Sequence, residues 1–371
     1  MQTLTVPHTS AIVAPRTGAG RANQPHRLPD DVASLLATFD LTLGALLTTS
    51  SAKAQHTAAH GVHNAMHYAL PHRQLARAID PRTVATTAPR GYVPALRALA
   101  ERTGTVDAAM RHNACMHATA GCVAACLASA GHGGLSVDVT AARGRRSLAY
   151  VADPTTYARA VVFAVAAELA RAARAGMPAA VRLNGTSEWP WFARAVPLSL
   201  ADALTIRRRY GVDVETGGFN NVAETFAPMV ERGAVRFYEY LKAHADAPDG
   251  LRAWRAAGFD VTASFAADRA TSPCADAMAA VRAGFRVALP IALKRGAPLP
   301  SSVTLETHGE IVTLPTVDGD VSDARYADGS GVAVLLREKR ARGADRTRAD
   351  RFVLPYADAV TLADGVVRFN R

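Results

Sequence analysis

Apolar and polar positions along the chain follow two periods. "DDVASLLATFDLTLGALL" (30–47) places its apolar residues on one helical face after two acidic positions. "LAYVADPTTYARAVVFAVAAELARAARAG" (148–176) contains a long amphipathic helix ending at Gly176, with Arg171 and Arg174 in its last turn, where the helix dipole favours cations. From residue 81 onward, short apolar runs alternate with helical ones. The runs at 179–185, 234–242, 259–266 and 285–293 predict strands, and "CADAMAAVRAG" (274–284) predicts the helix between the third and fourth. "GEIVTLPTVDGD" and "GVAVLLREK" predict further strands. Strand, helix, strand at this spacing predicts parallel β/α units. No Gly-x-Gly-x-x-Gly turn follows a strand, so a doubly wound sheet fits less well than an open barrel. The expected fold class is therefore α/β, a partial or distorted (β/α) barrel of mostly parallel strands. Residues 1–80 read as an N-terminal extension, disordered through residue 30 and then helical; residues 81–371 read as the α/β domain.

Composition narrows the setting. The 371 residues, 49 % apolar, suffice for one large domain or two ordinary ones. No charge-free apolar run reaches the roughly 18 residues of a membrane span, so no membrane is expected. The N-terminus lacks a basic start followed by an apolar core, which argues against a secretory signal. Four cysteines, three of them crowded, do not form a secreted disulfide framework; they predict metal or redox chemistry in a cytoplasm. The net charge is +10, and only Lys53, Lys242, Lys294 and Lys339 are lysines among 42 basic side chains. This charge fits a solvated basic surface or contact with nucleic acid. "REKRARGADRTRADR" (337–351) concentrates arginine and could grip phosphates.

The candidate chemistry centres on "NACMHATAGCVAACLASAGHGG" (113–134), where Cys115, Cys122 and Cys126 are spaced Cys-x6-Cys-x3-Cys. Three thiolates on one loop can ligate a soft metal. A 4Fe-4S cluster can use three protein cysteines and leave one iron open. Zinc in a structural site needs a fourth ligand, from His112, His117, His132 or Cys274. The plain alternative is three small buried side chains on a helix. Gly131, Gly133 and Gly134 would let backbone amides approach a cofactor, or simply form a turn. His56, His60, His63 and His67 share one face if their stretch is helical, but Gly61 weakens that helix and no carboxylate joins them. "VRLNGTSEW" sets Asn184, Thr186, Ser187 and Glu188 at a strand end, as a polar site or as an Asn-Gly turn with its cap. "PTVDGDVSDARYAD" carries Asp318, Asp320, Asp323, Arg325 and Asp328. It lacks the Glu of a calcium loop, which leaves a polar turn or a substrate-contacting loop. No Gly-x-Ser-x-Gly elbow, Walker loop or His-Glu-x-x-His motif is present.

Three blocks resemble a family of uncharacterised phage and bacterial proteins. "GYVPALRALAERTGTVDAAMRHNACMHATAGCVAACLASAGHGG" is similar to its cysteine region. "AAVRLNGTSEWPW" resembles its Arg-Leu-Asn-Gly-Thr-Ser-Asp segment, with Glu188 in place of the Asp. "VDGDVSDARYADGSGVAVLLREKRARGADRTRADRFVL" resembles its C-terminal Asp-Gly-Asp block. The similarity spans roughly residues 85–355, with residues 1–80 and Cys274 outside it. More distantly, the cysteine cluster resembles that of the radical S-adenosylmethionine superfamily, although both of its intervals differ from the usual Cys-x3-Cys-x2-Cys. That likeness implies that Cys115, Cys122 and Cys126 ligate three irons, on a loop after the first strand of a partial barrel. The fourth iron would bind S-adenosylmethionine, whose cleavage gives a 5′-deoxyadenosyl radical. In that setting Glu188 and Asn184 are the catalytic candidates. Thr186 and Ser187, with the three glycines, would bind cofactor, and Asp318, Asp320 and Arg325 would bind substrate. The expected function is an iron-sulfur enzyme acting on a nucleotide, nucleic acid or small metabolite in the cytoplasm, the host's if phage-encoded. The alternative is a zinc-stabilised, non-catalytic nucleic-acid-binding protein.

Overall fold

The computed structural model describes residues 27–83, 92–126, 136–242, 247–268, 273–293, 296–338, 352–357, 359–362 and 365–370. Its strands are β1 (His63–Met66), β2 (Ala179–Arg182), β3 (Val196–Leu198), β4 (Gly217–Phe219), β5 (Val235–Lys242), β6 (Phe259–Ser264) and β7 (Arg286–Ala292). They continue as β8 (Ser302–Thr307), β9 (Glu310–Asp318), β10 (Ala333–Arg337), β11 (Leu354–Pro355), β12 (Val360–Leu362) and β13 (Gly365–Asn370). One large sheet runs in the order β1-β2-β5-β6-β7-β10-β9-β8-β13-β12, and β11 also pairs with β7. Every pairing from β1 through β9 is parallel, and those among β9, β8, β13 and β12 are antiparallel. The fold is thus mixed α/β with a large, mostly parallel sheet. Among the described residues the pairing is an open path, with no contact that closes it into a ring.

The parallel strands β2, β5, β6, β7 and β10 fall on the apolar runs of the sequence. Those runs are continuous because both faces of a parallel sheet are covered. On one face Val181, Phe237, Val261, Val287 and Leu335 join the main core with the helices Pro154–Arg174 and Pro273–Arg282. On the other, Ala180, Tyr238, Tyr240, Ala288 and Val334 form a smaller cluster with Tyr326. The long helical pattern is two helices, Val137–Ala152 and Pro154–Arg174. Asp153 divides them, and its carboxylate accepts the N–H groups of Thr155 and Thr156 while Pro154 opens the second helix.

The N-terminal region departs most from expectation. Residues before the boundary expected at residue 80 pack against residues after it. Val32, Leu36 and Phe39, on and beside the helix Asp30–Thr38, belong to the main core, and β1 pairs in register with β2. The proposed histidine stripe is divided accordingly. His56 lies on the helix Ala52–Ala59, Gly61 turns the chain at a φ of 79°, and His63 begins β1. His63 Nε2 pairs with Glu168 at 2.9 Å. His67 is buried between Leu183 O (3.1 Å) and the Tyr157 hydroxyl (2.9 Å), and burial lowers its pKa to about 3, so it stays neutral. The four histidines therefore form no common metal face.

A chain beginning at residue 76 would lack β1 and the apolar side chains beneath it. It is expected to aggregate or to lose cooperative unfolding, checked by size exclusion and thermal circular dichroism. A soluble, cooperatively folding product would contradict this placement of the N-terminal region.

Candidate functional site

In a parallel sheet, the loops that leave the C-terminal strand ends lie along one edge. The cysteine segment lies between β1 and β2, and the ends of two other strands, β2 and β6, grip it. From the β2 end, the Glu188 N–H donates to Ala114 O at 2.7 Å, and the Cys115 thiol points to Thr186 O at 3.7 Å. At the end of β5, the Lys242 backbone N–H donates to Glu188 Oε1 at 3.2 Å and its ammonium to Ser264 Oγ at 3.2 Å. Beyond β6, the Asp268 carboxylate accepts the Thr119 hydroxyl and the Gly121 N–H, each at 2.6 Å. Thr119 caps the short helix Ala120–Ala124 by accepting the Cys122 N–H at 3.1 Å. Cys115, Cys122 and Cys126 are close enough to bear on one another electrostatically. Burial, then Glu188, then the neighbouring sulfurs push the Cys115 thiol up, and burial likewise raises Cys122 against the opposing pull of Lys242. None of the four cysteines is in a disulfide. Among the described residues, no group of three or more His, Cys, Asp or Glu side chains is placed to hold a metal ion.

Cys274 stands elsewhere. It is buried at the start of the helix Pro273–Arg282, against Gly365 of the C-terminal strand. His112 is committed too, since its Nε2 accepts the Trp189 indole N–H at 3.1 Å, and burial lowers its pKa to about 4. Gly131, Gly133, Gly134 and His132 lie outside the described residues.

The segment 184–188 divides into shaping and facing groups. Asn184 is buried and fully engaged within its own loop. Its Oδ1 accepts from Ser187 Oγ (3.0 Å) and Trp189 N (2.9 Å), and its Nδ2 donates to Trp189 O (3.0 Å). Asn184 and Ser187, expected as catalytic and cofactor-binding residues, thus shape their own loop. Thr186 is likewise tied down, its hydroxyl donating to Ala69 O at 2.7 Å. Gly185 is required, since a Cβ there would come within 2.6 Å of the Tyr68 ring and 2.7 Å of His67 O. Trp189 and Trp191 anchor the far end in an aromatic cluster, with Trp189 stacked on Tyr150 at 3.8 Å. Burying such side chains contributes about 1.5–3 kcal/mol each. Glu188 alone of this segment turns its carboxylate to the cysteines. Its Oε1 accepts the Lys242 backbone N–H at 3.2 Å, while Oε2 is buried with no hydrogen-bond partner.

Two buried acids stand beside these strand ends: Glu239, which no motif pointed to, and Asp323 of the Asp-rich segment. Glu239 Oε1 accepts the backbone N–H groups of Leu183 (2.8 Å) and Asn184 (3.0 Å), so a buried carboxylate ends β2. Burial, opposed by Arg182 and these hydrogen bonds, raises its pKa to about 8. Asp323 is also buried, and pairs with Lys53 at 2.7 Å and Arg182 at 3.6 Å. These two cations hold its carboxyl below the usual range despite the opposing, larger effect of burial. Arg182 pairs with Asp323 and stacks over the Tyr240 ring at 4.6 Å. Of the expected substrate residues, Asp318 is held by Arg337 at 2.8 Å and Asp320 Oδ2 accepts the Arg337 N–H at 3.1 Å. Arg325 is buried on Asp328 at 3.0 Å and on Ser322 O. These three close a turn, and Asp323 beside them reaches Arg182 on the sheet face of Tyr238 and Tyr240.

Sheet and site define an α/β protein with a cysteine-rich centre at the ends of parallel strands. Residues 71–352 match the family model described as Gene product 88, a phage-type family, and the chain belongs to that family. No curated protein and no solved structure matches it. No described helix is long and apolar enough to cross a membrane.

Glu239→Ala would leave two buried backbone donors unpaired, a cost of about 2–5 kcal/mol in chemical unfolding. Glu239→Gln keeps one acceptor oxygen and should cost less. The folded pKa of Glu239 lies above the unfolded value, so its contribution is full below about pH 4.5 and is lost as pH rises through about 8. Wild type should therefore lose more stability between pH 5 and 8 than Glu239→Gln; equal slopes would contradict this account.

Proposed function

We propose that the protein is an iron-sulfur enzyme of the radical S-adenosylmethionine type, with a 4Fe-4S cluster on Cys115, Cys122 and Cys126. One observation carries this reading: a three-cysteine segment follows the first of a series of parallel strands and is held by the ends of two of the next three. Six parallel strands, β1, β2, β5, β6, β7 and β10, follow one another in both chain order and sheet order, which fits a partial (β/α) barrel.

As placed, the thiols form no metal-holding group among the described residues, so a cluster would have to gather them. Three thiols share one segment, and binding would draw them to about 2.3 Å from metal and release their protons. The usual fourth thiolate of a closed site is missing, because Cys274 is buried in the helix layer. Bound there, a cluster would supply the electron that cleaves the sulfonium of S-adenosylmethionine. The chain's own residues bind and orient. The unpartnered Glu188 Oε2 offers an acceptor for an ammonium group, and Thr186 and Ser187 hold the loop that presents it. A nucleotide or small polar metabolite is the expected substrate. The +10 charge leaves room for a nucleic-acid substrate. A thiolate-held cluster of this kind suits a reducing cytoplasm.

Anaerobic purification of the full chain, followed by iron, sulfide and zinc analysis, tests the reading. Wild type and Cys274→Ala should carry about four iron and four sulfide, the composition of such a cluster. Cys115→Ala, Cys122→Ala and Cys126→Ala should each lose most of both. Stoichiometric zinc without sulfide, or full iron in the three single variants, would overturn it.

A further inference from the structure

The segment from Cys115 to Cys126 is held to the fold with little apolar burial of its own. Ala114, which precedes it, is buried in the main core, but no side chain of residues 115–126 belongs to that core. Its one fully buried residue is Gly121, and Met116 is 64 % exposed. What fastens it is polar. At its start Ala114 is pinned on both sides: its N–H donates to His72 O at 3.0 Å, and its carbonyl accepts the Glu188 N–H at 2.7 Å. Further along, one carboxylate takes two hydrogen bonds. The Thr119 hydroxyl donates to Asp268 Oδ1 and the Gly121 N–H to Asp268 Oδ2, each at 2.6 Å. The same Thr119 hydroxyl accepts the Cys122 N–H at 3.1 Å. Asp268 therefore sets the first turn of the helix Ala120–Ala124, on which Cys122 stands, from the loop after β6. A segment with few buried apolar contacts opens locally at a free energy set by its few hydrogen bonds. Those made to a charged acceptor are the strongest of them.

We propose that residues 115–126 form a strap, anchored at Ala114 and latched by Asp268, whose release brings Cys122 to solvent. Closed, the strap keeps its three thiols half-buried. Burial raises the Cys115 and Cys122 thiols above their ordinary range, so in the closed strap they are poor nucleophiles. Released, Cys122 regains the acidity and access of a free thiol. The exposure of the thiols thus depends on a carboxylate of another loop, distant in sequence. The proposal stands on the hydrogen bonds and the missing apolar anchor, and it holds whether or not the thiols take up metal.

The test compares the full-length wild type, Asp268→Ala and Asp268→Asn. Each is purified in air with a chelator, so that any cluster is lost, then reduced with a phosphine and labelled with iodoacetamide. Peptide mass spectrometry gives a labelling rate for each cysteine. Cys274, buried in the helix layer away from the strap, is the internal reference. In Asp268→Ala, Cys122 should label about tenfold faster than in wild type or more, because losing a hydrogen bond to a charged acceptor shifts the opening equilibrium by at least that factor. Asp268→Asn keeps one acceptor oxygen and should fall between the two. Cys115, beside the anchor, should gain less than Cys122. An unchanged Cys122 rate in Asp268→Ala, or a Cys274 rate that rises as much as that of Cys122, would overturn the proposal. Should Asp268→Ala fail to fold by circular dichroism, Thr119→Val decides. It removes the hydroxyl that joins Cys122 to the carboxylate and should release Cys122 in the same way; an unchanged rate there overturns the latch.

Discussion

Parallel pairing of β1, β2, β5 and β6 forces four strand ends to a common edge, and the buried carboxylate of Glu239 fixes where one of them stops. By accepting two N–H groups at the end of β2, it lets the chain leave the sheet at Leu183 without stranding donors in the interior. The turn that follows is then dictated at short range. Asn184 ties the loop to itself, Gly185 permits contact with Tyr68, and Trp189 stacks on Tyr150. Glu188 is left with its carboxylate toward the cysteine segment. The site is thus a product of the sheet, and its distinctive residues come from four separate stretches of chain.

The polar face of the sheet follows the same logic. Arg182, Tyr238 and Tyr240 share this face, and Lys53 and Asp323, far apart in sequence, cover it. Buried charges of this kind require partners. The Lys53–Asp323–Arg182 set also fastens the helix Ala52–Ala59 and the turn after β9 to the sheet. A segment first read as an extension is bound to the domain by charge as well as by the packing of Val32 and Phe39.

Much of the sheet was legible in advance because parallel strands are continuous apolar runs, a strong local signal. β1 was not: "HNAM" is four residues long, and its histidines happen to fall at helical intervals. The antiparallel order of β8, β13 and β12 depends on long-range pairing that no local period encodes. In the candidate site, the cysteines and Glu188 stand out in the sequence as residue types out of place. The hydrogen bonds that tie Asn184 into its loop were not legible, because a loop-forming asparagine and a ligand-binding one look alike in sequence. Lys242, Glu239 and Asp268 were missed, although a signal existed for two of them. A lysine in an arginine-rich chain and an acid inside "VRFYEYLK" both break the local rule.

The claim on which the account turns is that the cysteine centre holds a cluster with one iron open to S-adenosylmethionine. Electron paramagnetic resonance of the anaerobic, reduced, full-length protein, recorded with and without S-adenosylmethionine, tests it most directly. The account predicts the signal of a reduced 4Fe-4S cluster, altered in shape when S-adenosylmethionine is added. A protein with no iron-sulfur signal, or with one indifferent to S-adenosylmethionine, would contradict it.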